Sequence, residues 1–139
     1  MAKYTIEQAK ELYSEAVRLK LLRADNLFDP VRVSNVCNGI GPECWPEAMR
    51  DLADKLSPVM QLAAAIHDID YDNGGDFSDQ LSADLVFRAN CTICILARYP
   101  WYHPWRYVML ARSDRYYEYL RFFGGKNFGS LTASEETEK

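Results

Sequence analysis

The chain has 139 residues, 48% hydrophobic and 26% charged, which suits one ordinary globular domain with its own core and excludes a disordered, low-complexity chain. A formal charge of −4 with scattered lysines and arginines gives no basic footprint, so nucleic acid is not an expected partner. The opening MAKYTIEQAKELYSEAV has acidic residues where a secretory leader would be apolar, and no window reaches the roughly 18 apolar residues of a membrane span. A cytoplasmic location is expected, with virion association or export by another route left open.

Thr5 followed by Gln8 forms a capping-box pattern, and Ile6, Ala9, Tyr13, Ala16 and Val17 recur at helical spacing, predicting an amphipathic helix over about 5–23. RADNLFDPVRVSN carries Asp, Asn and Pro and reads as an extended connection; VCNGIGPECWP, with two glycines and two prolines, reads as a loop. Pro46 suits a first helical turn, giving a helix to about Leu56, and Ser57-Pro58 repeats that start for a second helix over about 58–72. Gly74-Gly75 ends it, with room for a short hairpin near 73–78. Asp76 or Ser78 opens a third long helix to about Arg98, and Pro100 and Pro104 bracket a turn before a last helix near 105–123. The architecture expected is all-α, one domain over 1–123, followed by a flexible tail over 124–139.

Four cysteines, Cys37, Cys44, Cys91 and Cys94, raise zinc as an option. The C-x2-C pair falls inside a predicted helix, and six residues separate the other pair, a poor knuckle spacing. Reduced thiols, two of them in the core, are the expectation.

The helix at 58–72 places Met60, Ala63, Ala64, His67 and Tyr71 on one face, so an imidazole points inward. On the next helix Gln80, Asp84, Phe87, Cys91 and Cys94 or Ile95 form a stripe that puts a carboxylate on an apolar face. Burying such groups costs several kcal/mol unless they are partnered. If the two helices pack antiparallel, Asp84 can accept from one ring nitrogen of His67, fixing its tautomer and leaving the other as a base. Asp79 lies on a poorer stripe, with Ala83, Val86 and Asn90. A buried His and Asp are also common as plain core residues. Asp68 is rotated about 100° from His67 around the axis, and Gly39 and Gly41 allow a loop to turn its carbonyls toward a hard cation. Glu43, Asp70, Asp72 and Asp76 read as a solvated helix end. RYPWYHPWRY offers Trp101, Trp105 and three tyrosines either as an interfacial belt or as packing between helices, with His103 exposed.

A G-x-G loop, then H-D-x-x-Y on a helix, then an Asp on the next helix resembles the phospholipase A2 superfamily. CNGIGPECWP, HDIDY and SADLVF are closest to its cysteine-poor viral and bacterial branches. The likeness covers about 35–91. It implies a phospholipase A2-like fold and calcium-dependent hydrolysis of the sn-2 ester of glycerophospholipids at a membrane surface. His67 would be the base, Asp84 its orienting acid and Tyr71 a brace on Asp84. Calcium would be held by Asp68 and by the main-chain carbonyls of Cys37, Gly39 and Gly41. The cysteine pairs that flank this motif in secreted members are replaced by Ala63, Ala64 and Asp70, and Pro42 stands where a further loop glycine is usual. The competing expectation is a noncatalytic interaction or structural protein, for example a viral component, with a degenerate calcium loop.

Overall fold

The computed structural model describes residues 4–37 and 47–123, with backbone alone over 47–58 and at 123. The expected loop containing Gly39, Gly41 and Glu43, the thiol of Cys44 and the expected tail at 124–139 lie outside the described residues. The described residues are all-α: α1 (Ile6–Arg18), a short 3-10 turn (Ala24–Leu27), α2 (Pro30–Val36), α3 (Glu47–Asn73), α4 (Phe77–Arg98) and α5 (Pro104–Phe123). None of these helices is long and apolar enough to cross a membrane.

Helix α1 starts on the full Thr5/Gln8 capping box but stops at Arg18, because Leu19 closes it and Lys20 turns to φ 58°. The segment expected to be extended is instead the 3-10 turn and α2. Asp29 accepts from the amides of Val31 and Arg32, and Pro30 occupies the first helical turn, the same proline start that the sequence shows at Pro46 and at Ser57-Pro58. The expected break near Ser57-Pro58 is present as a kink: α3 consists of two helical stretches that meet at Met60 (φ −108°, ψ 15°), two residues past the proline, whose missing amide costs the helix one hydrogen bond. At 73–78 there is no hairpin. Gly74 and Gly75 take positive φ, and Asp76 and Asp79 then form a reciprocal capping box that starts α4.

That tight turn makes α3 and α4 antiparallel neighbours, so residues near the end of one meet residues near the start of the other. Helix α3 is the central rod and is buried on two sides. Met60, Ala63 and Ala64 pack with Phe87, Cys91 and Ile95 of α4 and with Met109, Tyr116 and Leu120 of α5. Ala65, Ile66 and Ile69 pack against Ala9, Ala16, Leu27 and Val33 from the N-terminal elements. The alanines let the rods approach closely, and each buried large side chain contributes about 1.5–3 kcal/mol.

Polar ties hold the N-terminal layer in place. The side chain of Asn90, fully buried, accepts from the Leu22 amide at 2.8 Å and donates to the Leu22 carbonyl at 2.9 Å. Asp70 does not belong to the solvated helix end that its acidic neighbours in sequence predict. It is 8% exposed and holds Arg23 Nη1 and Asn26 Nδ2, each at 2.9 Å. Asp72 pairs with Arg32 at 3.0 Å. Both carboxylates are thereby committed to anchoring the 3-10 turn and α2.

Candidate active site

The α3–α4 register brings the imidazole of His67 to the carboxylate of Asp84, with Nε2 to Oδ1 at 2.8 Å. Both are buried, Asp84 completely. The Tyr71 hydroxyl, one helical turn beyond His67, donates to the same Oδ1 at 2.6 Å. Burial and the neighbouring Asp84 charge push the Tyr71 phenol well up, so it stays a donor. Arg121, from the last turn of α5, donates from Nη1 to Asp84 Oδ2 at 2.6 Å. Three donors thus converge on one buried carboxylate, and the guanidinium offsets its charge.

This geometry assigns the tautomer. An ionised carboxylate only accepts, so in the neutral ring Nε2 carries the hydrogen and Nδ1 keeps its lone pair. Among the described residues Nδ1 has no hydrogen-bond partner. The ring is fixed by its neighbours as well, with the Tyr71 ring centroid 4.2 Å away and that of Phe87 4.8 Å away; Phe87 in turn lies 5.3 Å from Tyr116. His67, Tyr71 and Asp84 therefore meet at one spot, and Asp68, the residue after His67 along α3, is half-buried.

Asp68 adds to the burial that raises the Tyr116 phenol beside Phe87, and it acts on the N-terminal layer as well. Its charge helps to raise both the Cys37 thiol and the Tyr4 phenol, the latter pushed up to about 12 mainly by burial. Asp68 thus lies near the C-terminal cap of α2, where the chain leaves toward Gly39 and Gly41. A half-buried carboxylate there is a suitable hard-cation ligand, and Cys37 could add its carbonyl oxygen. The Cys37 thiol, driven up by burial, points to the Ala65 carbonyl at 3.4 Å instead.

The other described thiols are buried as well. Cys91 contacts the Met60 sulfur at 3.9 Å, and Cys94 is pushed up to about 11 by burial. Cys37 is therefore a third core thiol where two were expected. Among the described residues no three His, Cys, Asp or Glu side chains group as a metal cluster, as a zinc domain would need.

Two further readings change. His103 is half-buried rather than exposed: its Nδ1 accepts the Trp105 amide at 3.1 Å, capping the first turn of α5, and its ring packs on Tyr99. Nothing in the segment around Arg121 signals a buried partner, since a basic residue in a last helical turn is ordinary. The clue lay in Asp84, whose buried charge requires a cation from somewhere. A groove of about 680 Å³ lies on the other side of α3, between α1 and α4, and does not include the His67 dyad in its lining.

Comparison with protein-family models, with curated proteins and with solved structures returned no match.

Proposed function

We propose that this chain is a calcium-dependent hydrolase of the phospholipase A2 type, acting on the sn-2 ester of glycerophospholipids. The observation that carries the reading is the buried His67–Asp84 pair, with Tyr71 on the same carboxylate oxygen and the second imidazole nitrogen left as an acceptor. On this reading His67 Nδ1 takes a proton from water as the water oxygen attacks the ester carbonyl carbon. Asp84 keeps the ring oriented and stabilises the imidazolium through Nε2–H. The carbonyl carbon then parts from the glycerol oxygen, and His67 returns its proton to that alkoxide, giving a fatty acid and a lysophospholipid. Calcium, held through Asp68 and the main-chain carbonyls of Cys37, Gly39 and Gly41, would supply the positive charge that polarises the ester.

One observation favours a second reading. Asp84 is fully buried and engaged by donors from α3 and α5, an arrangement that also serves as a plain structural tie in a noncatalytic helical protein. Hydrolysis of phospholipid in mixed micelles separates the two. The hydrolase reading requires release of fatty acid that is abolished both by a calcium chelator and by His67→Gln. No release above the uncatalysed rate at millimolar calcium leaves the structural reading.

A further inference from the structure

The corner between α4 and α5 carries an exposed aromatic group that the site does not use. Trp101 is 72% exposed and Tyr102 70%, with rings 5.7 Å apart edge to face; Trp105, Tyr107 and Val108 are exposed beside them. So large an apolar area left in water marks a surface that meets something. The corner itself is held firmly, since the Tyr107 hydroxyl donates to the Trp101 carbonyl at 2.5 Å and His103 caps α5.

Charge identifies the partner. Between Asp84 and Asp114 the sequence holds Arg88, Arg98, Arg106 and Arg112 and no acidic residue, in a chain of net charge −4. Arg88 is spoken for by Asp114 at 3.0 Å. Among the described residues Arg98, Arg106 and Arg112 have no carboxylate partner. Two of these lie against aromatic rings: Arg98 is 5.2 Å from the Tyr99 ring and Arg112 is 5.1 Å from that of Trp105. Glu11 and Glu15 of α1 line the groove that Arg98 also lines, and Arg106 and Arg112 lie farther along the chain in the stretch without acidic residues. Charges farther than about 8 Å are largely screened at physiological salt, so it is this stretch that a nearby surface meets. Indole and phenol rings with polar tips, interleaved with unpaired guanidinium groups, match the headgroup layer of an anionic bilayer.

We propose that the Trp101–Trp105 corner docks this protein on anionic phospholipid bilayers. Arg98 is about 20 Å along α4 from Asp84, so the corner is a tether at the far end of the helix pair rather than the rim of the site. Its use as a substrate-docking surface rests on the hydrolase reading, but the binding itself does not.

The test is co-sedimentation of the full chain with vesicles of phosphatidylcholine alone and of phosphatidylcholine containing phosphatidylserine. Wild type should sediment with the anionic vesicles and not with the neutral ones. Each arginine near the surface is worth about fivefold in affinity, so Arg98→Glu with Arg106→Glu should weaken binding at least about tenfold. Trp101→Ser with Tyr102→Ser, at positions too exposed to disturb folding, should do the same while the circular dichroism spectrum is unchanged. His67→Gln should bind as wild type does. Equal binding to neutral vesicles, binding to neither, or retention of binding by either double variant overturns the docking proposal. None of these outcomes bears on hydrolysis of a monomeric short-chain phospholipid, which reads the His67 site separately.

Discussion

Arg121 Nη1 lies 2.6 Å from Asp84 Oδ2, joining the last turn of α5 to the first half of α4 across 37 residues of sequence. The carboxylate is fully buried and the guanidinium side chain is 21% exposed, with its cationic carbon 5.2 Å from the Phe77 ring. Asp84 would otherwise be an uncompensated charge in the seam that holds His67. The contact thus locks α5 onto the α3–α4 pair and makes a buried anion tolerable at the same time.

Removing the cation should therefore cost more than a surface ion pair would. Arg121→Gln should destabilise the fold by about 3 kcal/mol in urea unfolding, at the lower end of what breaking a buried pair costs, because Arg121 retains some contact with water. Arg121→Lys keeps the charge and should lose less than half as much. A loss under about 1 kcal/mol for Arg121→Gln would show that Asp84 does not depend on it.

The turn that sets the α3–α4 register offers a second measurement. Gly75 has φ 133°, and a Cβ there would lie 2.1 Å from Asp79 Oδ2, the atom that accepts the Asp76 amide. Gly75→Ala must therefore strain the backbone and displace the cap together, and about 2 kcal/mol of destabilisation is expected. Gly74, at φ 68°, sits in the left-handed region that asparagine tolerates, so Gly74→Asn should cost under about 1 kcal/mol. Thermal or urea unfolding of the two variants checks the contrast, and equal losses would contradict it.

Local signals in the sequence read through to structure wherever a residue acts on its own segment. Thr5/Gln8 and the Gly74-Gly75 stop were legible because a cap or a breaker works within four residues. The inward face of His67 and of Asp84 was legible because burial follows helical period. Helix α2 was missed although Asp29-Pro30 announces it, since seven residues carry too little periodicity to outweigh a reading of turn-forming residues. What could not be read was long-range pairing: Arg23 and Asn26 on Asp70, Leu22 on Asn90, and Arg121 on Asp84. Each is a contact between segments whose relative placement only the packed core decides.

Alkaline pH should erode stability in a defined direction. Burial raises the thiols of Cys37, Cys91 and Cys94, the last to about 11, and raises the phenols of Tyr4, Tyr71 and Tyr116. The unfolded chain releases thiol protons near their ordinary value of about 8.5, while the folded chain retains them. The unfolded state then binds fewer protons, so stability is fully present below that value and falls as pH rises through the folded values. Each thiol subtracts up to about 1.4 kcal/mol per pH unit in that window. Urea midpoints measured from pH 7 to about pH 10 should stay level at first and then drop; a flat profile would mean that the thiols are solvated in the folded protein.

The sharpest test of His67 as a base is Asp84→Asn, because it changes hydrogen-bond polarity while keeping the shape. The new amide has one accepting and one donating end. If its oxygen faced His67, its NH₂ would point at Arg121 Nη1, donor against donor. The amide should therefore turn its oxygen to Arg121 and its NH₂ to His67, which makes Nε2 the acceptor and puts the ring hydrogen on Nδ1. That is the wrong tautomer for taking a proton from water. Hydrolysis should fall by about 10⁴-fold, as expected where the partner of a histidine base loses its charge and orienting role. Nitrogen-resolved NMR of the His67 ring should report the hydrogen on Nδ1 in the variant and on Nε2 in the wild type. Tyr71→Phe, which removes one donor without reversing any, should cost only about tenfold in rate. Activity of Asp84→Asn within tenfold of wild type, alongside the switched tautomer, would remove His67 from the chemistry.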